Sequence, residues 1–370
     1  MTVPRRILVV TGTRAEYGLL RTVLDGIDRH SDLHGLLVVT GAHLLPEVNT
    51  IAEIRAERAV DAEVQMQRPG REGRMADVEA VGRGIEGFAR AFAHLKPDVV
   101  LVLGDRIEVF AAASAASIGG IRVAHLHGGD RAEGVADEAM RHAVTKLSHL
   151  HLPATSESAE RIRRMGEPSE MVVEVGSPAA DSLDRMGVMS EEDFSDIGSP
   201  RTIFLMHGVG ASDEEEQAMA SEVLASCVSE GPVLALAPNT DPGSAGIRKA
   251  IKNAPDGISK VDHLPRDRFI GALRRVDALV GNSSAGLIEA SIVGCPAINI
   301  GQRQGGRERP DNVLDLPSPN ATDIRGAIES AARMSRDLPH PYGDGRCGER
   351  VAEVLARLDL SGSPRKRNTY

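Results

Sequence analysis

Tryptophan is absent from this 370-residue chain, which has only three tyrosines and six phenylalanines. A core without large aromatics must be built from Val, Ile, Leu and Ala, a composition that suits parallel strands buried under Ala-rich helices. Cysteine is scarce too: Cys227, Cys295 and Cys347 are far apart with no CxxC spacing, which excludes a disulfide framework and a cysteine zinc site. Positive charge is in deficit, with 43 Lys and Arg against 53 Asp and Glu and a formal net charge of −10. That balance argues against nucleic acid as the main partner, while leaving room for a local basic pocket around a phosphorylated small molecule. No apolar run approaches the roughly 20 residues that a membrane helix needs. The short N-terminal run in MTVPRRILVVTGTRAEYG breaks at Gly12 and then meets Arg14 and Glu16, so it reads as a first strand and not as a signal peptide. A cytoplasmic protein with no membrane partner is expected.

The remaining composition, 41% apolar and 26% charged, is that of a soluble globular protein. The length exceeds what a single core usually supports, so two domains are expected. Short β-branched runs recur at Ile7–Thr11, Leu36–Thr40, Val99–Leu103, Arg122–Leu126, His149–Leu152 and Met171–Val175. Between the second and third, Val78, Val81, Ile85, Phe88, Phe92 and Leu95 alternate spacings of three and four, which draws one apolar stripe on a helix. Strand and helix in alternation predict parallel βαβ units with right-handed crossovers. The pattern loosens over 179–200, an acidic and Ser-rich connecting stretch, and restarts at Thr202–Met206, Val233–Ala237, Ile258–Val261, Ala278–Val280 and Ala297–Ile300. A helix is expected from about Asp213 to Glu230, and another over Gly348–Leu358, where Val351, Val354, Leu355 and Leu358 share a face. The reading is an α/β chain of two Rossmann-like, doubly wound domains facing each other across a cleft. They occupy residues 1–178 and 179–342; a crossing helix and tail fill 343–370, with the tail SGSPRKRNTY frayed.

Chemistry-bearing residues concentrate between Gly104 and Asp137, where Asp105, His127, Asp130 and Asp137 fall near the ends of two neighbouring strands. Ligands bind at the carboxyl ends of strands in open parallel sheets, and carboxylates converging there have their pKa values pushed apart, as acid–base work requires. Singly, Asp130 and Asp137 are also natural helix caps. After the first strand, TGTRAEYG offers a tight turn at Gly12, helix N–H groups, and Arg14, either a phosphate-binding cation or half of a surface ion pair. In VGNSSAGLIEAS, Ser283, Ser284 and Gly286 either present donors to a diphosphate or cap a helix, and Glu289 is placed to accept from ribose hydroxyls. Arg303, Arg307 and Arg309 occupy a Gly-rich loop after a strand. Asn239 and Asp241 line a cleft or make an Asx turn, and His263 is a base or a capping group. His207, directly after a strand, is either structural or an acid, base or imidazolium acting on departing phosphate.

Five pieces, TGTRAEYG, LGDRIEVFAAASAAS, AHLHGGDRAEGVADEAMRHAVTKLSHLH, VGNSSAGLIEAS and INIGQRQGGRE, together resemble the hydrolysing UDP-N-acetylglucosamine 2-epimerases of sialic- and legionaminic-acid-type pathways. The resemblance implies a GT-B-type pair of domains and elimination of UDP from C1 with loss of the C2 proton. Water then adds to the glycal and the free 2-epimer, ManNAc in the parent case, is released. It implies catalytic roles for Asp105, Asp130, Asp137 and His207. Arg14, Ser283, Ser284 and Glu289 are implied at the diphosphate, with Arg106 and Arg307 near the substrate. No metal or cofactor is implied, and dimers or tetramers are. Two departures stand out: His127 replaces a catalytic Glu found in some relatives, and HGVGASD follows the second-domain first strand where many have His-Pro. An imidazole at 127 either takes over part of the proton handling or marks a subgroup acting on another sugar, such as a 4-acetamido-6-deoxy sugar. The rival readings are a non-hydrolysing epimerase, a GT-B glycosyltransferase and a non-catalytic nucleotide-sugar sensor.

Overall fold

A computed structural model describes residues 3–46, 48–71, 73–131, 138–181, 183, 186–239, 243–366 and 369. Its twelve strands are β1 (Arg5–Thr11), β2 (Leu33–Thr40), β3 (Ala62–Val64), β4 (Val99–Leu103), β5 (Arg122–Leu126), β6 (Leu150–Leu152), β7 (Thr202–Leu205), β8 (Val233–Leu236), β9 (Ile258–Val261), β10 (Ala278–Gly281), β11 (Ala297–Ile300) and β12 (Val313–Leu316). They form two parallel six-stranded sheets, ordered β3-β2-β1-β4-β5-β6 and β12-β11-β10-β7-β8-β9. Read from its β9 edge, the second sheet repeats the first: third, second, first, fourth, fifth, sixth strand. This is the doubly wound order in which the winding reverses between the first and fourth strands, opening a crevice beyond their carboxyl ends.

Strand periodicity explains how each sheet is covered. Ile7 and Val9 of β1 face one apolar cluster, while Leu8 and Val10 face another on the opposite side, and all four are fully buried. The second sheet is likewise packed on both faces, by clusters around Phe204 and Val280 and around Ile203 and Leu279. The described chain divides into two compact units. One runs through Asp130, resumes in the helix that begins at Glu138, continues to Asp181 and takes up again at Gly343; the other occupies most of the segment between Asp181 and Gly343.

The C-terminal helix Cys347–Arg357 joins the first unit, its Val351, Ala352 and Leu355 packing with Leu20, Val23 and Ile27. A side chain on Gly26 would strike the Gly348 carbonyl, so the two helices meet backbone to backbone. Asp181 caps the helix by accepting from the N–H groups of Cys347 and Gly348, both at 2.7 Å. Beyond it the chain is held as far as Lys366, where a frayed tail was expected; Arg367, Asn368 and Tyr370 of that tail lie outside the described residues. His149 Nε2 lies 2.7 Å from the Pro364 carbonyl, and Lys366 bonds to the Ser148 carbonyl and to the buried carboxylate of Glu167. Burial opposes ionisation of Glu167, but hydrogen bonds from His151, Lys146 and Lys366 outweigh it and hold its pKa down to about 2.

Three other expectations differ. Met171–Val175 makes only a bridge from Val172 to His151, while β3 and β12, both edge strands, went unread. These edges are short and partly solvated, so they lack the dense β-branched signal of a central strand. Val78 lies in the helix Arg74–Leu95 but is 62% exposed, so the buried stripe starts deeper, at Ala80 and Gly84. The helix Asp213–Glu230 is as expected and is opened by a reciprocal capping box between Ser212 and Glu215. Among the described residues, no helix is long and apolar enough to cross a membrane, and no cluster of three His, Cys, Asp or Glu could hold a metal ion.

Candidate functional site

In the first unit, β1 ends at Thr11 and the chain turns through Gly12 into a helix N-capped by Thr13. Glu16, in the first turn of that helix, reaches back to accept the Gly12 N–H at 2.7 Å. On the other side of Gly12 lies Glu108: a Cβ on Gly12 would come within 2.8 Å of its Cγ. Gly41, after β2 and at φ 63°, is closed in by the Gly12 carbonyl and by Glu108 Oε1, so only glycine fits. Glu16 is 6% exposed and Glu108 1%. Gln67 donates to Glu108 Oε1 at 2.6 Å and Arg106 Nε lies 3.5 Å from Oε2. Burial, with the like charge of Glu108 adding to it, pushes Glu16 up to about 8, against the opposing Gly12 hydrogen bond. His43 bridges Thr11 Oγ1 at 3.2 Å and Thr50 Oγ1 at 2.6 Å, and burial lowers its pKa to about 4, so it is a neutral tie between strand end and turn.

Beyond β4 and β5 the predicted acidic group assembles. Asp105 pairs with Arg141, a buried residue of the helix Glu138–Leu147, and a second Arg141 nitrogen donates to the Asp130 carbonyl at 3.0 Å. One arginine thus joins Asp105 to Asp130. The Asp130 carboxylate takes the Ser158 hydroxyl on Oδ1 at 2.8 Å and meets His127 Nδ1 on Oδ2 at 3.0 Å. His127 sits at φ 60°, a left-handed conformation uncommon outside glycine, and its Nε2 is 3.0 Å from Ser177 Oγ. Ser177, His127 and Asp130 therefore form a serine–histidine–aspartate chain, but Ser177 is fully buried and so orients the imidazole instead of acting as a nucleophile. Beneath them His125 ties Gly104 O (2.7 Å) to Thr145 Oγ1 (3.1 Å), and burial lowers its pKa to about 3. Arg106 is exposed beside this group, and Asp137 lies outside the described residues. Arg14 is exposed and lies 3.5 Å from Glu53.

In the second unit the ends of β7, β8 and β10 converge. His207 follows β7, and Asn282, the residue after β10, accepts the His207 N–H at 2.7 Å and donates to the His207 carbonyl at 2.8 Å. Asn239, beyond β8, donates its backbone N–H to His207 Nδ1 at 3.1 Å. Ser283 caps the short 3-10 turn Ser284–Gly286, its hydroxyl oxygen accepting the Ala285 N–H at 3.3 Å, and Ser284 is half-buried beside it. Glu289 is 3.3 Å from Arg266. Gln304 and Arg303, from the loop after β11, donate to the Asn282 carbonyl at 2.9 and 3.3 Å. In the same loop, Arg307 keeps a buried Nε with no hydrogen-bond partner among the described residues. His263 is exposed after β9, at the edge of the sheet, and Asp241 lies outside the described residues.

The structure thus brings the expected Asp105, His127 and Asp130 to one place and His207 and Asn239 to another, while sequence reasoning missed Glu16, Glu108, His43, Ser177 and Asn282. Thr13 and Glu16 at capping-box spacing were a readable signal for Glu16. Ser177 and Asn282 had no comparable local signal.

A family model described as UDP-N-acetylglucosamine 2-epimerase matches residues 25–356. The chain is similar to the UDP-N,N'-diacetylbacillosamine 2-epimerase (hydrolyzing) of Legionella pneumophila, 35% identical over 365 residues that cover 96% of this chain and 97% of that protein. It is also similar to a UDP-N-acetylglucosamine 2-epimerase of Neisseria meningitidis serogroup B, 30% identical over 366 residues, 95% of each chain. In fold it matches the crystal structure of UDP-GlcNAc 2-epimerase from Neisseria meningitidis bound to UDP-GlcNAc. The TM-score is 0.79 at 19% identity, covering 95% of this chain and 100% of that one. The fold is the GT-B type, two Rossmann-like sheets in one chain.

Proposed function

The chain belongs to the UDP-N-acetylglucosamine 2-epimerase family, and from that premise we propose that it is a hydrolysing nucleotide-sugar 2-epimerase. Its substrate is a UDP-linked N-acetylhexosamine, either UDP-GlcNAc or a 2,4-diacetamido-6-deoxy analogue, and its products are UDP and the free 2-epimer. The observation that carries this reading is the 35% identity across 96% of the chain to an enzyme whose name specifies hydrolysis. The residues fit the chemistry. A C2–H beside an acetamido group is not acidic, so cleavage of the C1–O bond runs ahead, UDP departing with the electron pair, and builds oxocarbenium character at C1. A carboxylate then takes the C2 proton and leaves a C1–C2 double bond. Water delivers hydroxyl to C1 while a proton returns to C2 from the other face.

We assign that proton chemistry to the first sheet: Asp105, Asp130 and Asp137, with His127 positioning Asp130. Diphosphate binding falls to the helix turn at Arg14 and, on the second sheet, to His207, Ser283, Ser284 and Gly286; Glu289 serves the ribose and Arg106 and Arg307 the substrate's charge. The scheme requires no metal or cofactor. A cytoplasmic enzyme assembled as a dimer or tetramer completes the proposal.

A panel of UDP- and GDP-linked N-acetyl sugars, followed by nucleotide release and NMR of the products, tests it. Free 2-epimer carrying deuterium at C2 in deuterated water is expected. A UDP-linked 2-epimer among the products would establish the non-hydrolysing reaction. Turnover only with an added acceptor would establish a glycosyltransferase.

A further inference from the structure

Three basic side chains close on one buried carboxylate in the first unit, and one of them arrives from far along the chain. Glu167 is 2% exposed. His151 Nε2 meets its Oε2 at 2.9 Å, Lys146 Nζ meets its Oε1 at 2.7 Å, and Lys366 pairs with Oε2 as well. The segment that delivers Lys366 is anchored along its length. Arg5 donates to the Leu355 and Leu358 carbonyls, and Arg122 to those of Leu360 and Gly362. His149 accepts the Val123 N–H on Nδ1 at 3.1 Å, so its Nε2–H is the donor to the Pro364 carbonyl.

Lys366 does more than neutralise Glu167. Its ammonium also donates to the Ser148 carbonyl and, at 3.4 Å, to that of Thr145, at the end of the helix Glu138–Leu147. Carbonyls at a helix end are short of intrahelical partners, and a cation there complements the helix dipole. This helix carries the arginine that joins Asp105 to the Asp130 carbonyl. Arg141 lies one turn before Thr145, and both are buried on one face. The Thr145 hydroxyl meets His125, whose other nitrogen meets the Gly104 carbonyl directly before Asp105. A helix of ten residues moves as a rod, so a shift of its last turn reaches Arg141.

We propose that Lys366 is a positioning residue: by tying the last turn of the helix Glu138–Leu147 to buried Glu167, it fixes the Arg141 that sets Asp105 and Asp130, and so supports turnover from outside the site. The inference rests on the nucleotide-sugar reading for the reaction served, though not for the hold on the helix.

Steady-state kinetics of the full chain, well below the melting midpoint, compares Lys366→Met with Val351→Ala. Lys366→Met is expected to lower kcat roughly tenfold with KM little changed, short of the hundredfold that about an ångström of misplacement costs. His151 and Lys146 still pair Glu167 in this variant, so the fold is retained. Val351→Ala loosens the same unit through the helix Cys347–Arg357 and should leave kcat unchanged. Wild-type kcat in Lys366→Met, a loss seen only in KM, or an equal fall of kcat in Val351→Ala overturns the proposal. Hydrogen exchange of the peptide spanning 138–147 reads the hold on the helix without any substrate. Faster exchange in Lys366→Met is expected, and unchanged exchange overturns the tie. If no UDP-sugar is turned over by the wild type, the epimerase reading fails while exchange still decides whether Lys366 holds the helix.

Discussion

Where β1 and β4 part in the first sheet, the crevice is floored by glycines wedged against two buried carboxyl groups, with Asp105, Asp130 and their arginine alongside. Where β7 and β10 part in the second, the same topological position holds a side-chain amide, an imidazole and a serine-bearing turn. The backbone is one solution used twice, and strand order alone therefore says where a ligand can sit but not what is done to it. Both units bury a glutamate that accepts a backbone N–H just past their first strand, Glu16 from Gly12 and Glu216 from Val209. The first unit, however, sets a second buried carboxyl, Glu108, close by, and burial with that like charge pushes Glu16 up to about 8; the second adds amide and hydroxyl groups suited to an anion.

The sharpest way to break this division is to neutralise an acid on the first sheet. Asp105→Asn should cut turnover at least about a hundredfold, the usual scale for a positioned acid–base group, with UDP binding little changed. Steady-state kinetics beside a UDP titration checks it; wild-type turnover would remove the first sheet from the chemistry. Next in size is Gly281→Ala, which forces a Cβ against the Leu205 carbonyl and should cost about 3 kcal/mol, read from denaturant unfolding. An unchanged midpoint would show that the β10 exit relaxes without penalty.

Glu16→Gln sharpens the comparison through pH. The folded-state pKa of about 8 lies above the ordinary carboxyl value of 4.5, so the native state binds this proton more tightly than the unfolded chain. The resulting stabilisation is fully present below about pH 4.5 and is lost as pH rises through 8, a slope of up to roughly 1.4 kcal/mol per pH unit. Glutamine, an uncharged isostere, should flatten that slope in thermal melts taken across this window; an identical pH dependence would mean that Glu16 is ionised in the fold. The smallest effect is expected for Ser283→Ala, which loses a cap on a single 3-10 turn and should cost about 1 kcal/mol of stability. A much larger loss would make that turn a structural keystone of the second sheet.

Central strands were legible because each is a dense run of Val, Ile, Leu and Ala that parallel packing buries on both faces. The edges β3 and β12 were not, since solvent takes one side of them. The same contrast runs through the site. Asp105, His127 and Asp130 stand next to strand ends in the sequence, so their neighbourhood could be inferred. Glu108 sits in the first turn of an Ala-rich helix, and nothing in IEVFAAAS tells that its carboxyl lies over Gly12 and Gly41, residues from two other strand exits. Ser177 meets His127 from fifty positions away, and Asn282 meets His207 from seventy-five.

Local pattern by itself determined the alternation of strands and helices, the doubling of the fold and the stretches where reactive side chains gather, because periodicity and turn chemistry act over a few residues. Tertiary structure alone decided which carboxyls are dry, that Arg141 joins Asp105 to Asp130, and that the Asn282 amide brackets the His207 backbone. Those properties depend on the dielectric and on donors brought in from distant strands, and desolvation and hydrogen bonding act on the neighbours a group has in space, whatever their place along the chain.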